Sequence, residues 1–268
     1  MKIGNCEFDT KNHAYVMGIL NVTPDSFSDG GEHNKLDDAL RHCEKMIKEG
    51  ASIIDVGGES TKPGYTKVSI EEEIERTAPV IESIKQRFDT VISLDTYKSE
   101  VAEAGIKAGA DLINDIWGLK YDKRMAGIIA NYNCACCLMH NRNKAIYGDF
   151  ISDVESDLAE CLYLAEKAGI SDDKIILDPG VGFGKTYENN LEIINNLEAI
   201  SHLGYPVLLG TSRKSVIGLT LDLPTDERLI GTIVMSVLGI IKGCSFLRVH
   251  DVKENVEAIK MTEAILKG

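Results

Sequence analysis

Basic residues are in short supply in this sequence. Lys and Arg number 29 against 42 Asp and Glu, giving a net charge of −13. A nucleic-acid-binding surface needs a basic stripe to neutralise phosphates, so that class of partner is excluded. A small anionic ligand is not, because it senses only its local site. Long apolar runs are also lacking: no stretch approaches the roughly 18 uninterrupted apolar residues that span a bilayer. The opening MKIGNCEFDT has no apolar signal region, so a cytoplasmic protein without membrane attachment is expected. The seven cysteines are odd in number and none sits at a disulfide-framework spacing, which points to reduced thiols. Proline occurs six times and no linker or low-complexity segment breaks the chain. Residues 1–268 therefore read as one domain.

What the sequence does have is rhythm. Short β-branched runs at Tyr15–Leu20, Ser52–Val56, Val91–Leu94, Leu112–Asn114, Ala135–Met139, Lys174–Leu177, Pro206–Leu209 and Phe246–Val249 alternate with amphipathic stretches. Leu36, Ala39, Leu40, Cys43, Met46 and Ile47 follow the i, i+3, i+4, i+7 pattern of a helix face. Leu191, Ile194 and Leu197, then Val256, Ile259 and Ile265, repeat it. Gly50, Gly109 and Gly169 stand where helices stop. Parallel neighbours need a crossover, so strict alternation of strand and helix implies a parallel sheet. At this length the α/β class with closure into a single (β/α)8 TIM barrel fits best, with an open doubly wound sheet as the alternative. Residues 1–14 precede the first barrel strand and are expected to form a short N-terminal hairpin closing the bottom.

In such a barrel the site lies at the carboxyl ends of the strands. Every run delivers a polar group there: Asn21, then Asp55 to Thr61, then Asp95, Asn114-Asp115, His140, Asp178, Thr211 to Ser215, and Arg248-Val249-His250-Asp251. An Asp after a strand also caps the next helix, and Asp115 and Asp251 are open to that reading. Asp95, Asn114 and Asp178 suit the N–H-rich edge of a flat heterocycle, because an ionised carboxylate only accepts. They also suit acid–base work or a metal. Arg248 and His250 point the same way by strand alternation, and with the amide of Asn21 they suggest an anion such as phosphate.

Other motifs fall short. DPGVGFGKT ends like a Walker loop but has Pro179 where that motif needs glycine, and GVGFG lacks dinucleotide spacing. In CACC, Cys134 and Cys136 face opposite to Ala135 and Cys137 on a strand, so no face gathers enough thiolates for a metal. NVTPDSFSDGG, residues 21–31, is polar and hinge-rich directly after the first strand, which suits either a surface turn or a closing loop.

GILNVTPDSFSDGG, DVGGEST-PG, SLDTYKSEVA, INDI, DPGVGFGKT, GTSRKSVIG and RVHDV occur here in order. Together they resemble the dihydropteroate synthase family from about residue 3 to the carboxyl terminus. That resemblance implies a barrel joining 6-hydroxymethyl-7,8-dihydropterin pyrophosphate to p-aminobenzoate. By motif position, Asp95, Asn114, Asp178, Gly182 and Lys214 would hold the pterin, with Ile116, Met139 and Arg248 against its face. Asn21, Arg248 and His250 would bind pyrophosphate, and Mg²⁺ would sit on Asn21 and Asp29. Thr61, Lys62, Pro63, Phe183 and Ser215 would surround p-aminobenzoate. Phe27, Asp29, Lys214 and Arg248 would carry the catalysis, with the residue 21–31 stretch as a lid. A homodimer through the apolar Leu229–Ile241 stretch is a further implication.

Two departures stand out. Lys62 replaces the usual arginine of the second loop, keeping charge but losing the planar fork. Val216 stands where an aromatic residue is usual, which puts the shape of the p-aminobenzoate pocket in doubt. The competing readings are a pterin-binding methyltransferase and a non-catalytic, pterin-binding paralogue. SRKS and RVH argue against the first, and intact Asn21, Asp29, Lys214, Arg248 and His250 argue against the second.

Overall fold

A computed structural model describes residues 1–23, 32–59 and 67–268, with side chains of 32–34 excepted. The apolar runs become strands within a residue or two of the expected bounds: β3 (Tyr15–Asn21), β4 (Ile53–Gly57), β5 (Val91–Asp95), β6 (Leu112–Asp115), β7 (Ala135–Met139), β8 (Ile175–Asp178), β9 (Leu208–Leu209) and β10 (Phe246–Val249). They form one parallel sheet in the order β8-β7-β6-β5-β4-β3-β10-β9. A parallel bridge from Leu177 to Val207 joins its two ends, so the sheet closes into the expected barrel. Before it, β1 (Lys2–Ile3) and β2 (Cys6–Glu7) pair antiparallel as the expected hairpin.

Strand alternation sorts side chains into a packed lumen and an outer shell. Met17, Ile53, Val91, Leu112, Ala135, Cys137, Ile176, Leu208 and Phe246 fill the lower lumen, and the hairpin adds Ile3 and Phe8 beneath them. The Phe8 and Phe246 rings lie 5.6 Å apart. Trimming Phe246 to Ala in so closed a site costs about 3–5 kcal/mol. Cys134 and Cys136 lie in the outer shell, whereas Ala135 and Cys137 face the lumen, as period-2 alternation requires.

Helices α1 (Glu32–Glu49), α2 (Ile70–Arg87), α3 (Ser99–Ala108), α4 (Met125–Asn131), α5 (Phe150–Ala168), α6 (Tyr187–Asn195), α7 (Leu197–Ser201), α8 (Ser215–Leu221), α9 (Leu229–Ile241) and α10 (Val252–Lys267) surround the barrel. Gly50, Gly109 and Gly169 take φ of 103°, 116° and 84° at their helix ends, a conformation glycine adopts without strain. The alternation is looser than one helix per strand, since two follow β8 and two follow β9. Asn196 separates α6 from α7, and its Nδ2 donates back to the Glu192 carbonyl at 2.8 Å, which competes with helix continuation. Leu191 and Ile265 do not face the core: they are 40% and 67% exposed. Val216 is buried among the outer core residues, so its small side chain contributes to the packing of α8.

No helix among the described residues is long and apolar enough to cross a membrane.

Candidate active site

The carboxyl ends of the strands carry a buried charged cluster. Arg248, on β10, donates from Nε to Asp55 Oδ2 at 2.6 Å and from Nη2 to Asp95 Oδ2 at 2.7 Å. Asn114 Nδ2 reaches the same Asp55 oxygen at 3.4 Å. Burial disfavours the Arg248 charge, yet Asp55 and Asp95 hold its guanidinium above the ordinary value. Burial also pushes the Asp95 carboxyl up to about 7 against the pull of Arg248. Asp55 Oδ1 and Ser93 Oγ, on paired residues of β4 and β5, are buried without a hydrogen-bond partner among the described residues. Buried oxygens of this kind favour an N–H donor arriving from the mouth.

Two glycines keep the mouth open. A side chain at Gly57 would meet Asn21 Oδ1 at 3.6 Å and Asp95 at 3.7 Å, and one at Gly210 would meet Asp178 Oδ2 at 3.7 Å and Arg248 at 3.9 Å. Asn21, Asp95, Asp178 and Arg248 therefore border one space. Asp178 is buried, which raises its carboxyl pKa, and its Oδ1 accepts the Gly180 N–H at 2.6 Å.

Lys214 stands just before α8 and donates to the Val181 carbonyl. Its Nζ lies 4.8 Å from the centre of the Phe183 ring, and its aliphatic stem packs beside Gly182, whose φ is +86°. Burial pulls the Lys214 ammonium down to about 8, with Asp178 opposing. Ile116 and Met139 join Tyr97, Trp117 and Phe183 in a small apolar cluster separate from the main core. One wall of the mouth is thus apolar and aromatic while the floor is charged. His250 Nδ1 lies 2.9 Å from Ser212 Oγ. Ser215 is exposed in the first turn of α8.

The expected residues thus gather at one rim, apart from those in the two loops. Phe27 and Asp29, with Thr61, Lys62 and Pro63, lie outside the described residues. Asp115 is structural: its carboxylate accepts the N–H groups of Trp117 and Leu119 at 2.8 and 2.7 Å. Asp251 pairs with Arg213 at 3.0 and 2.5 Å and makes no side-chain cap. His140, although it follows a strand, turns to the outer side and meets Asp157 at 3.0 Å. Asp55 was placed at this rim from the sequence but given no role in the site. Its signal was available, since it alternates with Ile53 and Gly57 on a strand otherwise apolar.

Comparison with known proteins agrees with this geometry. The family described as pterin binding enzyme matches residues 17–250. The dihydropteroate synthase of Clostridium beijerinckii is 59% identical over 268 residues, covering 100% of both chains. That of Bacillus subtilis is 54% identical over 256 residues, covering 96% of this chain and 90% of its own. Among solved structures, Clostridium difficile dihydropteroate synthase in the presence of pteroic acid superposes with a TM-score of 0.96 at 49% identity, covering 98% of this chain and 100% of its own. The Xanthomonas albilineans enzyme with 4-aminobenzoic acid gives 0.92 at 40% identity, covering 96% and 94%. The chain belongs to the pterin-binding enzymes and, among them, to the dihydropteroate synthase family of transferases.

Proposed function

We propose that this chain condenses 6-hydroxymethyl-7,8-dihydropterin pyrophosphate with p-aminobenzoate to give 7,8-dihydropteroate and pyrophosphate. The observation that carries the reading is the mouth in which buried Asp95, Asn114 and Asp178 meet Arg248 beside the apolar wall of Ile116 and Met139. A pterin presents ring N–H and amino donors along one edge and a flat apolar face. Acceptors on three strands fit the edge, and the wall with the Arg248 guanidinium fits the face. Lys214 reaches the pterin ring oxygen and nitrogen, with Gly182 leaving room for its stem.

The bond between the pterin methylene and pyrophosphate breaks first, and the amine nitrogen then attacks the carbon and loses a proton. Asn21, Arg248 and His250 hold the departing pyrophosphate, where positive charge offsets what develops on it. The intermediate cation would be lost to water, so the site has to close. We assign that closure to the 21–31 segment, with Phe27 and Asp29 acting from the closed loop and Asp29 stabilising the cation. Thr61, Lys62, Pro63, Phe183 and Ser215 surround p-aminobenzoate.

Mg²⁺ fits the donor chemistry. The exposed carboxamide of Asn21 opens onto the space left by Gly57, and a hard cation takes such oxygens together with substrate phosphates and water. Among the described residues no three His, Cys, Asp or Glu side chains gather to hold a metal. Asn21 and Asp29 would hold the ion, which when bound would add positive charge beside the pyrophosphate.

The closed barrel supports treating residues 1–268 as one domain, and we place its action in the cytoplasm. The apolar outer face of α9 supports a homodimer. Ile230, Val234 and Ile241 are 73%, 62% and 57% exposed, and they share one face at helical spacing. The test of the activity is pyrophosphate release from the pterin substrate with Mg²⁺, measured with and without p-aminobenzoate. Dihydropteroate formed only when the amine is present supports the reading. Pterin binding with no release would point instead to a non-catalytic or methyl-transferring relative.

A further inference from the structure

The segment GVGFGKT ends like a phosphate-binding loop, yet its lysine turns into the protein. Lys185 Nζ donates to His140 Nδ1 at 2.6 Å, to the Gly180 carbonyl at 2.9 Å and to the Phe183 carbonyl at 3.1 Å. An ammonium has three donors and no acceptor, so all three are used and Nδ1 must be the bare ring nitrogen. Nε2–H of His140 therefore donates to Asp157 Oδ2 at 3.0 Å. Asp157 is in turn held by Arg142, from Nε at 2.5 Å and from Nη2 at 3.1 Å.

Above this chain of contacts lies a turn that has little stiffness of its own. Gly180, Gly182 and Gly184 have φ of 69°, 86° and 55°, and glycine at such positions is conformationally permissive. The turn is pressed against the backbone after β7. A Cβ on Gly180 would come within 1.9 Å of the His140 carbonyl oxygen, and one on Gly184 within 2.4 Å of that of Arg142. From the same turn the Val181 carbonyl accepts from Lys214, and the Phe183 ring faces the Lys214 ammonium.

We propose that Lys185, fixed by His140 and Asp157, is a positioning residue that holds the glycine turn from inside and so sets Phe183 at the p-aminobenzoate half of the site, binding no phosphate itself. This assignment rests on the functional reading above. Of the pterin groups, Asp95 and Asn114 stand on β5 and β6 away from the turn, whereas Asp178 and Lys214 touch it through the Gly180 N–H and the Val181 carbonyl.

The experiment is Lys185→Met in the full chain, with steady-state kinetics for each substrate and a ¹⁵N titration of the His140 ring. KM for p-aminobenzoate is expected to rise about tenfold, because small misplacements of a substrate-positioning group cost one to two orders of magnitude. KM for the pterin substrate should rise less, by about threefold at most, because Asp95 and Asn114 keep their places. Without the neighbouring ammonium, which together with burial keeps His140 neutral down to about 3, the imidazole should protonate at a higher pH than in the parent. His140→Asn, which keeps an acceptor for Lys185 but cuts the link to Asp157, should give a smaller rise in the same KM. An unchanged KM for p-aminobenzoate in folded Lys185→Met, or equal rises in both KM values, overturns the assignment. If Lys185→Met does not fold, an unchanged KM in His140→Asn overturns it. If the parent makes no dihydropteroate, the functional reading falls, and an unmoved His140 titration would then show separately that the contact chain is wrong.

Discussion

Arg248 and Asp95 are bound to each other at 2.7 Å across the barrel mouth. Both are also the groups expected to meet the pterin, one on its face and one on its edge. On that reading the ring N–H and the guanidinium meet at one carboxylate, whose two oxygens can accept from both. The pair is well shielded, with side-chain exposures of 20% for Arg248 and 8% for Asp95, and Asp55 beside them is at 0%.

Removing one partner from such a cluster leaves uncompensated buried charge. Arg248→Met is expected to lower unfolding free energy by about 3–5 kcal/mol, as a broken buried ion pair does. Adding Asp55→Asn should recover part of that loss, because the two sites share one network. Urea unfolding midpoints of the parent, single and double variants check this. A midpoint for Arg248→Met equal to the parent would refute it.

The same cluster sets a pH window. Asp95 offers both oxygens as acceptors to the pterin edge only when ionised, and burial raises its carboxyl to about 7. Lys214 donates a charge only when protonated, and burial lowers its ammonium to about 8. kcat/KM for the pterin substrate reports the free enzyme, so it should rise through pH about 7 and fall above about 8. For stability the sign is opposite to that of an ordinary paired carboxylate. The folded value of Asp95 lies above the unfolded one, so its contribution declines as pH rises from about 4 to about 7. Lys214→Arg should extend the alkaline limb, and a flat profile in the parent would contradict the argument.

Asp29 is assigned to a cation formed after pyrophosphate leaves. Asp29→Ala should reduce kcat about 100-fold, the scale of losing one electrostatic stabiliser, while equilibrium binding of the pterin substrate changes little. Rapid-quench turnover together with calorimetric binding separates the two, and parent-like turnover would remove the lid from the mechanism.

A charge on the outer face of α9 should disrupt self-association. Val234→Glu is expected to convert a dimer to a monomer in sedimentation velocity while leaving the circular dichroism spectrum intact. A parent that already sediments as a monomer would discard the homodimer.

The sequence made the barrel legible because each strand buries both faces and reads as an apolar run, with glycine closing the helix before the next one. It misled where apolar spacing continued past the packed surface: Leu191 and Ile265 keep the helical period yet face outward. At the site, residues that end strands were found by position alone. Asp55 was placed at the rim without a role, because its part is seen only once Arg248 reaches down to it from β10. The inward turn of Lys185 was also hidden, since its direction depends on the His140 ring 45 residues away in sequence.

The cysteines, so far only a packing detail, amount to a built-in set of clocks. Cys43, Cys134, Cys136, Cys137, Cys161 and Cys244 are all buried free thiols, and burial pushes those of Cys43, Cys134 and Cys161 up to about 12. A thiol in that state does not react with an alkylating reagent until its surroundings open. Cys43 lies on α1, Cys161 on α5 and Cys136 and Cys137 on β7, so each labelling rate times the opening of a different sector. Mass spectrometry of the modified peptides would then show, without any introduced probe, which sectors breathe and which quieten when substrate is added.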